Sequence, residues 1–541
     1  MRFVHGLFFA CLVFGFSAAC AAVGLPVVSA DSTVPVEQWR RSLWLDSSAY
    51  KGYVQVGTDF NFGFGGGPTA SFFAADTAEW YGNPGSNWRG LQIPLETARS
   101  YEERIEPFFT LSFRAGYQNF HFLLEAPLRK DLEAWYSSTT KTNLTYKPSE
   151  LDINVPTNAY GRWNNPVGYV QFGRFHVDWT TSPNDITLGG IPYHDAIHWA
   201  FNPGIFRYDF MLSSLNAWLY GDDVDRTTGC PSDPSSEAYA QKCTSASQQV
   251  DNQRNRVYNQ NVKNLVYHRF GLETSKLWIY VIETSMVGGK SLEFRSFNPF
   301  IYWHDNYGSG YTSAATSFEV GYKPARGAKF YGQINMEDLN SPVGEDDDKG
   351  TSRSIINYMV GYLQEIPTKK YGTFTTRFDV VLTDPASNNS KLPLLKYTGR
   401  KLYRSNYREQ NDPDYADSYF VDYPVGYRRG PDALDMWLDV NWKYKNRTVD
   451  LSLAWLCQGD KELYTGYNKA VSASGSTSGI EETQYVFDVL YKEKFNSWFE
   501  YYVGGGFRIY ENLDHEKESD GADGWVRAGI KLLFNPVDYR F

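Results

Sequence analysis

The sequence predicts an all-β protein that crosses a membrane as an antiparallel β-barrel. Three observations support this fold class. Apolar and polar residues alternate in segments spread from Val54 to the end of the chain, the last strand ends on an aromatic residue, and a secretory leader is followed by no run of eighteen apolar residues. The mean hydropathy of −0.47 does not oppose a barrel, because only alternate residues of each strand face lipid.

The last strand shows the alternation most clearly. In the segment 525–534, one parity holds apolar residues: Val526, Ala528, Ile530, Leu532 and Phe534. Successive side chains of a strand point to opposite faces, so one face of this strand is apolar. Asn535-Pro536 predicts a break, after which alternation resumes and ends at Phe541. A final strand ending in Phe resembles the assembly signal of bacterial outer-membrane barrels, so the barrel assembly machinery and outer-membrane lipid are expected partners.

The N-terminus is typical of a secretory signal peptide. Met1-Arg2 forms a weakly basic head before an apolar run from Leu7 to Ala19, and small residues follow. Cleavage is expected either at Ala19-Cys20-Ala21 or at Val28-Ser29-Ala30. The residues before Cys20 also loosely match a lipobox, although the usual leucine is missing three positions before the cysteine.

Charge and cysteine content narrow the function classes. The formal charge of −10, with no long run of Lys or Arg, excludes nucleic acid as an expected partner. Cys230 and Cys243 lie close together in a polar segment, so in an oxidising compartment a disulfide between them is expected. Their spacing does not match a four-ligand zinc site, and the sequence predicts no metal or other cofactor.

Alternation defines strands throughout the chain, and polar segments separate them. The segments 109–117 and 120–126 flank a two-residue turn and predict a hairpin. A β-sandwich would show the same alternation, but one barrel is the simpler account because no linker divides the chain. Long polar segments at 221–263, 384–430 and 472–482 are expected to be outer loops. The best helix candidates are the segments 36–45 and 235–249.

Several motifs resemble the capsule assembly protein Wzi family of outer-membrane barrels. They are Gly173-Arg174-Phe175 with Asp178-Trp179, Phe206-Arg207-Tyr208 with Leu215-Asn216, His268-Arg269-Phe270 followed by Glu283 and Asn298-Pro299-Phe300, Phe330-Tyr331-Gly332-Gln333 with Glu337-Asp338, and Gly426-Tyr427-Arg428 with Gly430-Pro431-Asp432. The resemblance runs from about residue 161 to the C-terminus. Family members can carry a periplasmic helical bundle, for which residues 31–48 are too few.

The resemblance implies a transmembrane antiparallel barrel of about eighteen strands in the bacterial outer membrane. We therefore expect a signal peptide at 1–30, a short periplasmic segment at 31–51 and the barrel at 52–541. It also implies a non-enzymatic role in the surface attachment or assembly of capsular or other exopolysaccharide. A surface polysaccharide would then be the partner.

Glycan binding requires flat aromatic rings beside planar hydrogen-bonding groups. The segment 384–430 interleaves Tyr with Arg, and an Arg fork can bind a sugar carboxylate. The candidate glycan-binding residues are Arg404, Tyr407, Arg408, Tyr427 and Arg428. The competing interpretation is that these residues form an aromatic girdle and ion pairs that pack the loops.

Other sites are less well supported. His194 and His198 could bind a metal if they lay on a helix, but a strand is expected there, so a hydrogen-bond network is the preferred interpretation. Glu283, Asn298 and Asp432 are expected to hold internal hydrogen bonds. The acidic run 345–348 lacks the pattern of a helix-loop-helix calcium site and is expected to be a solvated turn.

No enzymatic activity is expected. The carboxylate pairs Glu337 with Asp338 and Glu283 with Asp305 could serve glycoside hydrolysis, but only a structure gives the separation that such a mechanism requires. No G-x-S-x-G nucleophile motif is present. The alternatives to polysaccharide attachment are a diffusion porin for small solutes and a surface adhesin. An open lumen lined by opposed charges would favour the porin, and a plugged or narrow lumen with aromatic outer loops would favour glycan binding.

Overall fold

The structure is a computed structural model. It describes residues 52–66, 90–92, 95–137, 141–217, 262–289, 298, 312–338, 354–404, 418–463 and 477–540, apart from positions 153, 178, 391, 392 and 462. The expected signal peptide, periplasmic segment, Cys230–Cys243 disulfide and both helix candidates therefore lie outside the described residues.

Most of the regular secondary structure in the described part of the chain is β-structure. Its strands are β1 (Gly52–Gly66), β2 (Gly90–Gln92), β3 (Phe109–Tyr117), β4 (Phe120–Leu128), β5 (Asn158–Asn165), β6 (Gly168–Phe175), β7 (His194–Phe201), β8 (Phe206–Leu215), β9 (Lys263–Glu273), β10 (Leu277–Gly288), β11 (Thr312–Tyr322), β12 (Ala328–Asp338), β13 (Ile355–Thr368), β14 (Gly372–Leu382), β15 (Thr398–Arg404), β16 (Ser418–Pro424), β17 (Ala433–Tyr444), β18 (Arg447–Gln458), β19 (Glu482–Lys494), β20 (Phe499–Glu511) and β21 (Gly521–Arg540). The helices are α1 (Leu95–Arg104) and α2 (Leu132–Ser137). Single 3₁₀ turns lie at Pro148–Glu150, Pro393–Leu395 and Leu513–His515.

Eighteen of the described strands form one closed antiparallel barrel, which confirms the predicted fold class. Each barrel strand pairs with the next barrel strand along the chain. β1 closes the ring, because it pairs with β3 along one edge, from Gly52–Tyr117 to Phe60–Phe109, and with β21 along the other. The remaining three strands, β2, β15 and β16, form a separate small sheet.

The two ends of the barrel differ in the length of their connections. At one end the connections are short: 118–119, 166–167, 202–205, 274–276, 323–327, 369–371, 445–446 and 495–498. Gln118 and Lys445 have positive φ, as the tight two-residue hairpin turns require. At the other end nine longer connections join the strands. Outer-membrane barrels place short turns in the periplasm and long loops outside, so we call these the periplasmic and the outer end.

Two of the predictions need correction. The predicted break at Asn535-Pro536 is a bulge within the continuous strand β21, since the pairs Val56–Val537 and Thr58–Phe534 leave two residues opposite one. The bulge places Val537 on the outward face and accommodates a proline, which has no N–H to donate.

The second correction concerns the segment 384–430, which was predicted to be an outer loop. Its described residues fold inward, where they form β15 and β16 and bury Tyr397, Tyr403 and Tyr423. Burial in the barrel removes these rings from water.

Helix α1 was not predicted and also lies within the barrel. Its residues Leu95, Ala98 and Tyr101, with Ile105 just beyond its end, are buried in the same core as β15 and β16. Among the described residues, no helix is both long enough and apolar enough to cross a membrane.

Candidate functional site: the filled lumen

Three inserted segments occupy the outer half of the lumen. They are α1, the connection 176–193, and the described part of the connection 383–432 with its strands β15 and β16, and together we call them the plug. Their apolar side chains share one buried core with inward-facing residues of the wall, such as Met211, Tyr267 and Met359. The plug is therefore packed against the wall as a hydrophobic core is packed.

Asp379 of β14 anchors the connection 176–193 to the wall. Its carboxylate accepts hydrogen bonds from Ser182 Oγ at 2.5 Å, Asn184 Nδ2 at 2.9 Å and Tyr331 Oη at 2.6 Å. Two of these donors come from the plug and one from β12. Asp379 is fully buried, so each bond replaces a bond to water that the folded protein cannot make.

A second anchor lies five strands away. Arg269 of β9 donates to Asp209 of β8 at 2.8 Å and to the backbone carbonyl of Trp179 at 2.9 Å. The same Asp209 also accepts a hydrogen bond from His198 Nε2 at 3.1 Å. His198 therefore lies in a hydrogen-bond network, as does His194, which contacts Ser213 Oγ at 3.1 Å.

The network interpretation of the two histidines is confirmed. His194 and His198 lie on the strand β7 and not on a helix. Within the described residues, no group of three or more potential ligands is placed to hold a metal ion.

The small sheet is tied to α1 by one buried carboxylate. Glu102 accepts hydrogen bonds from Lys401 Nζ at 2.9 Å, Tyr423 Oη at 3.0 Å and Tyr403 Oη at 3.2 Å. Burial by itself would raise the pKa of Glu102, but the positive charges of Lys401 and Arg99 outweigh it and lower the pKa to about 2. Glu102 is therefore ionised and holds α1 against β15 and β16.

The small sheet is also fixed to the wall and within itself. Tyr397 Oη donates to the carbonyl of Ser313 at 2.6 Å, and Lys263 Nζ donates to Thr398 Oγ1 at 3.2 Å. Inside the sheet, Arg400 binds both oxygens of Asp422 at 2.7 Å in a fork geometry. These contacts join the small sheet to the wall and brace it internally.

The predicted glycan-binding residues are only partly described. Arg404 ends β15, where its backbone pairs with Ser418, and Tyr407 and Arg408 lie outside the described residues. Tyr427 is 1% exposed. Its hydroxyl donates a hydrogen bond to Asp435 at 2.5 Å and accepts one from Trp437 Nε1 at 2.9 Å.

In this structure the Tyr427 ring is thus part of an internal network and presents no surface to a ligand. Arg428 differs, because its side chain keeps 21% of its surface exposed, lies 5.4 Å from the Trp437 ring centroid and pairs with Glu103. The structure therefore brings Tyr427 and Arg428 close to Trp437, with Tyr427 buried and Arg428 partly exposed. Glycan binding by the five residues stays a prediction.

The predicted structural role of Asp432 is confirmed. Its carboxylate, fully buried, accepts hydrogen bonds from the backbone N–H groups of Ser478 at 2.9 Å and Lys461 at 3.1 Å, and from the Ser478 hydroxyl. Asp432 has positive φ, a conformation that Asp tolerates better than most residues. It thus fixes the connection between β18 and β19 over the plug.

The periplasmic half of the lumen is polar and partly exposed. Inward-facing charged residues near the short turns keep between 24% and 44% of their side-chain surface: Arg114, Arg207, Glu273, Asp450 and Lys492. We call the space that they line the lower chamber. Opposite charges face one another across neighbouring strands, as in the pair Arg207–Glu273 at 3.0 Å. The lower chamber is therefore suited to water and polar solutes.

The outer surface of the barrel is apolar. Outward-facing side chains with large exposed fractions lie on strands all round the ring, among them Phe172, Phe318, Val320, Val360 and Val526. A closed ring of strands satisfies its backbone hydrogen bonds internally, and an apolar exterior of this kind is stable only in hydrocarbon.

This is an outer-membrane β-barrel. Within the described residues it has an even number of strands, a polar interior, an apolar exterior and short turns at one end, which together define the class. Its location is the bacterial outer membrane.

No family model matches the chain, and no curated protein does. Among solved structures, the chain is similar to Wzi from Escherichia coli, an outer-membrane protein involved in group 1 capsule assembly and described as a carbohydrate-binding β-barrel. The identity is 13%, 91% of this chain and 86% of Wzi are covered, and the TM-score is 0.43.

Two further solved structures are also similar. OprD of Pseudomonas aeruginosa is 7% identical over 90% of this chain and 94% of its own, with a TM-score of 0.38. An anion-selective porin from Comamonas acidovorans is 9% identical over 89% of this chain and 100% of its own, with a TM-score of 0.36. Similarities this distant assign neither a role nor membership of the Wzi family.

Proposed function

We propose that this outer-membrane barrel attaches or assembles capsular or other exopolysaccharide at the cell surface, without catalysis. The filled outer half of the lumen supports the proposal most strongly. A diffusion porin needs a continuous aqueous path, whereas here α1, the connection 176–193 and the small sheet pack into a hydrophobic core with the wall.

The anchoring of the plug gives further support. Buried hydrogen bonds at Asp379 and Arg269 join it to strands on different sides of the barrel. Opening the lumen would break these hydrogen bonds, at a net cost of about 0.5–1.5 kcal/mol each, and would expose the apolar core of the plug to water. A plug held in this way suits a rigid platform for the outer loops.

A catalytic role is not proposed. The Glu337 carboxylate accepts hydrogen bonds from Asn357 Nδ2 at 3.3 Å and from the backbone of Asn388 at 2.7 Å. The Glu337 carboxylate therefore holds the plug to β12. In the pair of Glu283 with Asp305, Asp305 lies outside the described residues.

The diffusion porin remains the second candidate function. The opposed charges of the lower chamber favour it, because such charges line conducting pores. The adhesin alternative would use the outer connections, which are largely outside the described residues.

Two experiments test the proposal together. Purified protein is reconstituted in liposomes for conductance measurements, and cells lacking the gene are assayed for cell-bound polysaccharide. We expect no steady conductance and a loss of cell-bound glycan. Steady conductance with normal glycan retention would establish the porin instead, and normal glycan with lost adhesion to host surfaces would establish the adhesin.

A further inference from the structure

The underside of the plug, which faces the periplasmic end, carries a connected row of aromatic and charged side chains. Glu103, near the end of α1, joins the two halves of this row. The Glu103 carboxylate pairs with Arg428, and the Glu103 backbone carbonyl accepts a hydrogen bond from Arg527 at 3.3 Å. Arg428 lies over the ring of Trp437, at 5.4 Å from its centroid.

The row continues along the opposite wall. Arg527 of β21 also pairs with Asp488 of β19 at 2.5 Å, and the indole of Trp525 donates to the other oxygen of Asp488 at 2.7 Å. Two tryptophans thus flank two arginines that share one carboxylate-bearing residue, Glu103. The row lies about halfway along the barrel, where the buried plug core ends.

The row is open to water. The Glu103 side chain keeps 52% of its surface exposed, and Arg428 keeps 21%. Arg527 and Asp488 are inward-facing residues of the wall, so a molecule reaches this row from inside the barrel. Since the outer half of the lumen is filled, access is through the lower chamber.

We propose that this row binds an acidic sugar unit, a hexuronic acid residue of a polysaccharide, entering from the periplasmic end. The proposal rests on the assembly part of the proposed function, because a polysaccharide that enters from the periplasmic end is bound before it reaches the cell surface. It adds the ligand class and the side of approach. Arg428 and Arg527 would hold the sugar carboxylate and neighbouring hydroxyls, and Trp437 would supply an apolar face for the ring.

Glu103 is the group that the ligand displaces. It is the most exposed member of the row, so its side chain can move into the chamber with little loss of packing. The ligand carboxylate then takes the place of the Glu103 carboxylate at Arg428, so the guanidinium keeps an anionic partner.

The charge around Arg428 favours an anion. Burial of the guanidinium, and after it the positive charge of Arg99, lower the pKa of Arg428 to about 10. An anion bound beside Arg428 would offset both effects, because it stabilises the protonated guanidinium.

Binding to detergent-solubilised full-length protein tests the inference. The acidic probe is an oligogalacturonate of four units, and maltotetraose is the neutral comparator. Affinity is measured by calorimetry and by the change in tryptophan fluorescence. We expect the acidic probe to bind more tightly than the neutral one, and Arg428→Gln and Arg527→Gln each to weaken it by about tenfold to a hundredfold, the loss of one charge-assisted contact.

Two further variants separate binding from structure. Glu103→Gln should bind the acidic probe as tightly as the parent or more tightly, because the competing carboxylate is gone; if Arg428 served only to pair with Glu103, this variant would lose binding as well. Arg447→Gln is the matched control. It changes a half-exposed ion pair on the outside of the barrel wall, near the periplasmic end, and should leave affinity unchanged. The heat-induced gel shift of each variant reports barrel folding.

Unchanged affinity in both arginine variants, equal affinity for the two probes, or no binding of the acidic probe would each overturn the inference. The proposed function is judged separately, by the retention of glycan on cells. Glycan lost from gene-deleted cells but restored by the Arg428→Gln variant would therefore reject this site and keep the function.

Discussion

The Glu102 carboxylate of α1 lies 2.9 Å from the Lys401 ammonium of β15, although the two residues are 299 positions apart in the chain. Both side chains are largely buried, and two tyrosine hydroxyls complete the hydrogen bonds of the carboxylate. The contact joins a helix that precedes β3 to strands that follow β14, so two insertions from distant parts of the chain behave as one body.

Replacing Glu102 by Gln should loosen the plug without opening the barrel. The change leaves the Lys401 charge buried and unpaired, which we expect to cost about 3 kcal/mol. Limited proteolysis in detergent, with cleavage sites mapped to the segment 383–432, measures the effect. Arg447→Gln, at a half-exposed pair, should change stability by no more than about 0.5 kcal/mol. Equal protection in both variants would contradict the prediction.

The stability of the plug should also fall with acid. The pKa of Glu102 is about 2 in the folded protein, below its ordinary value of 4.5, so its contribution is complete above pH 4.5 and is lost as the pH falls towards 2. The difference in protease protection between the parent and Glu102→Gln should therefore shrink across that window. A difference that stays constant from pH 7 to pH 3 would show that Glu102 is not the group responsible.

Asp379→Asn should weaken the attachment of the connection 176–193 to the wall, where the Arg269 anchor remains. Three donors converge on the carboxylate, and the amide of Asn offers only one accepting oxygen, so at least one buried donor loses its partner. The expected cost is about 1–3 kcal/mol. Hydrogen exchange of residues 180–188 measures it. Asp439→Asn, at a partly exposed carboxylate two positions further along the neighbouring strand, is the control. Equal exchange in the two variants would argue against this anchor.

The position of the lipid-facing surface gives a third kind of test. Val360 points outward from the middle of β13 and is 58% exposed, so Val360→Arg should cost about 2–4 kcal/mol in the bilayer. Thr375→Arg, which adds the same side chain to the inward face of β14, should be nearly neutral. Urea unfolding of protein folded into lipid vesicles measures both, and the opposite order would place lipid on the other face.

The bulge in β21 predicts that the strand tolerates the deletion of one residue at this position. Deleting Pro536 leaves one residue opposite Gly57, which removes the bulge and keeps Val537 on the outward face, so assembly should remain close to that of the parent. Deleting Gly529 instead shifts Lys531 from the lumen to the lipid face and should abolish assembly. The heat-induced gel shift distinguishes the two, and failure of both deletions would mean that the bulge itself is required.

The barrel could be predicted from sequence because its signal is local. Alternation in segments such as 109–117 and 525–534 follows directly from the geometry of a strand between lipid and a polar lumen. The location of the chain in the outer membrane follows from the same pattern.

The plug could not be predicted, because its stability comes from contacts between distant segments. The spacing of Leu95, Ala98, Tyr101 and Ile105 is helical and could have indicated α1, but nothing in the sequence places that helix inside the barrel. The tyrosines of 384–430 look the same whether they face a ligand or a core. Arg527 and Glu103 were missed for a similar reason, since only the closed ring brings β21 beside the end of α1.

The pairing of β1 with β21 has a consequence for biogenesis. The barrel closes only when its first and last strands pair, and these are separated by nearly the whole barrel sequence. Until then, a partly formed sheet has two unpaired strand edges. A cell that makes this protein must therefore shelter those edges during export and insertion, and a nascent chain halted before its last strand would remain an open sheet with nothing to join.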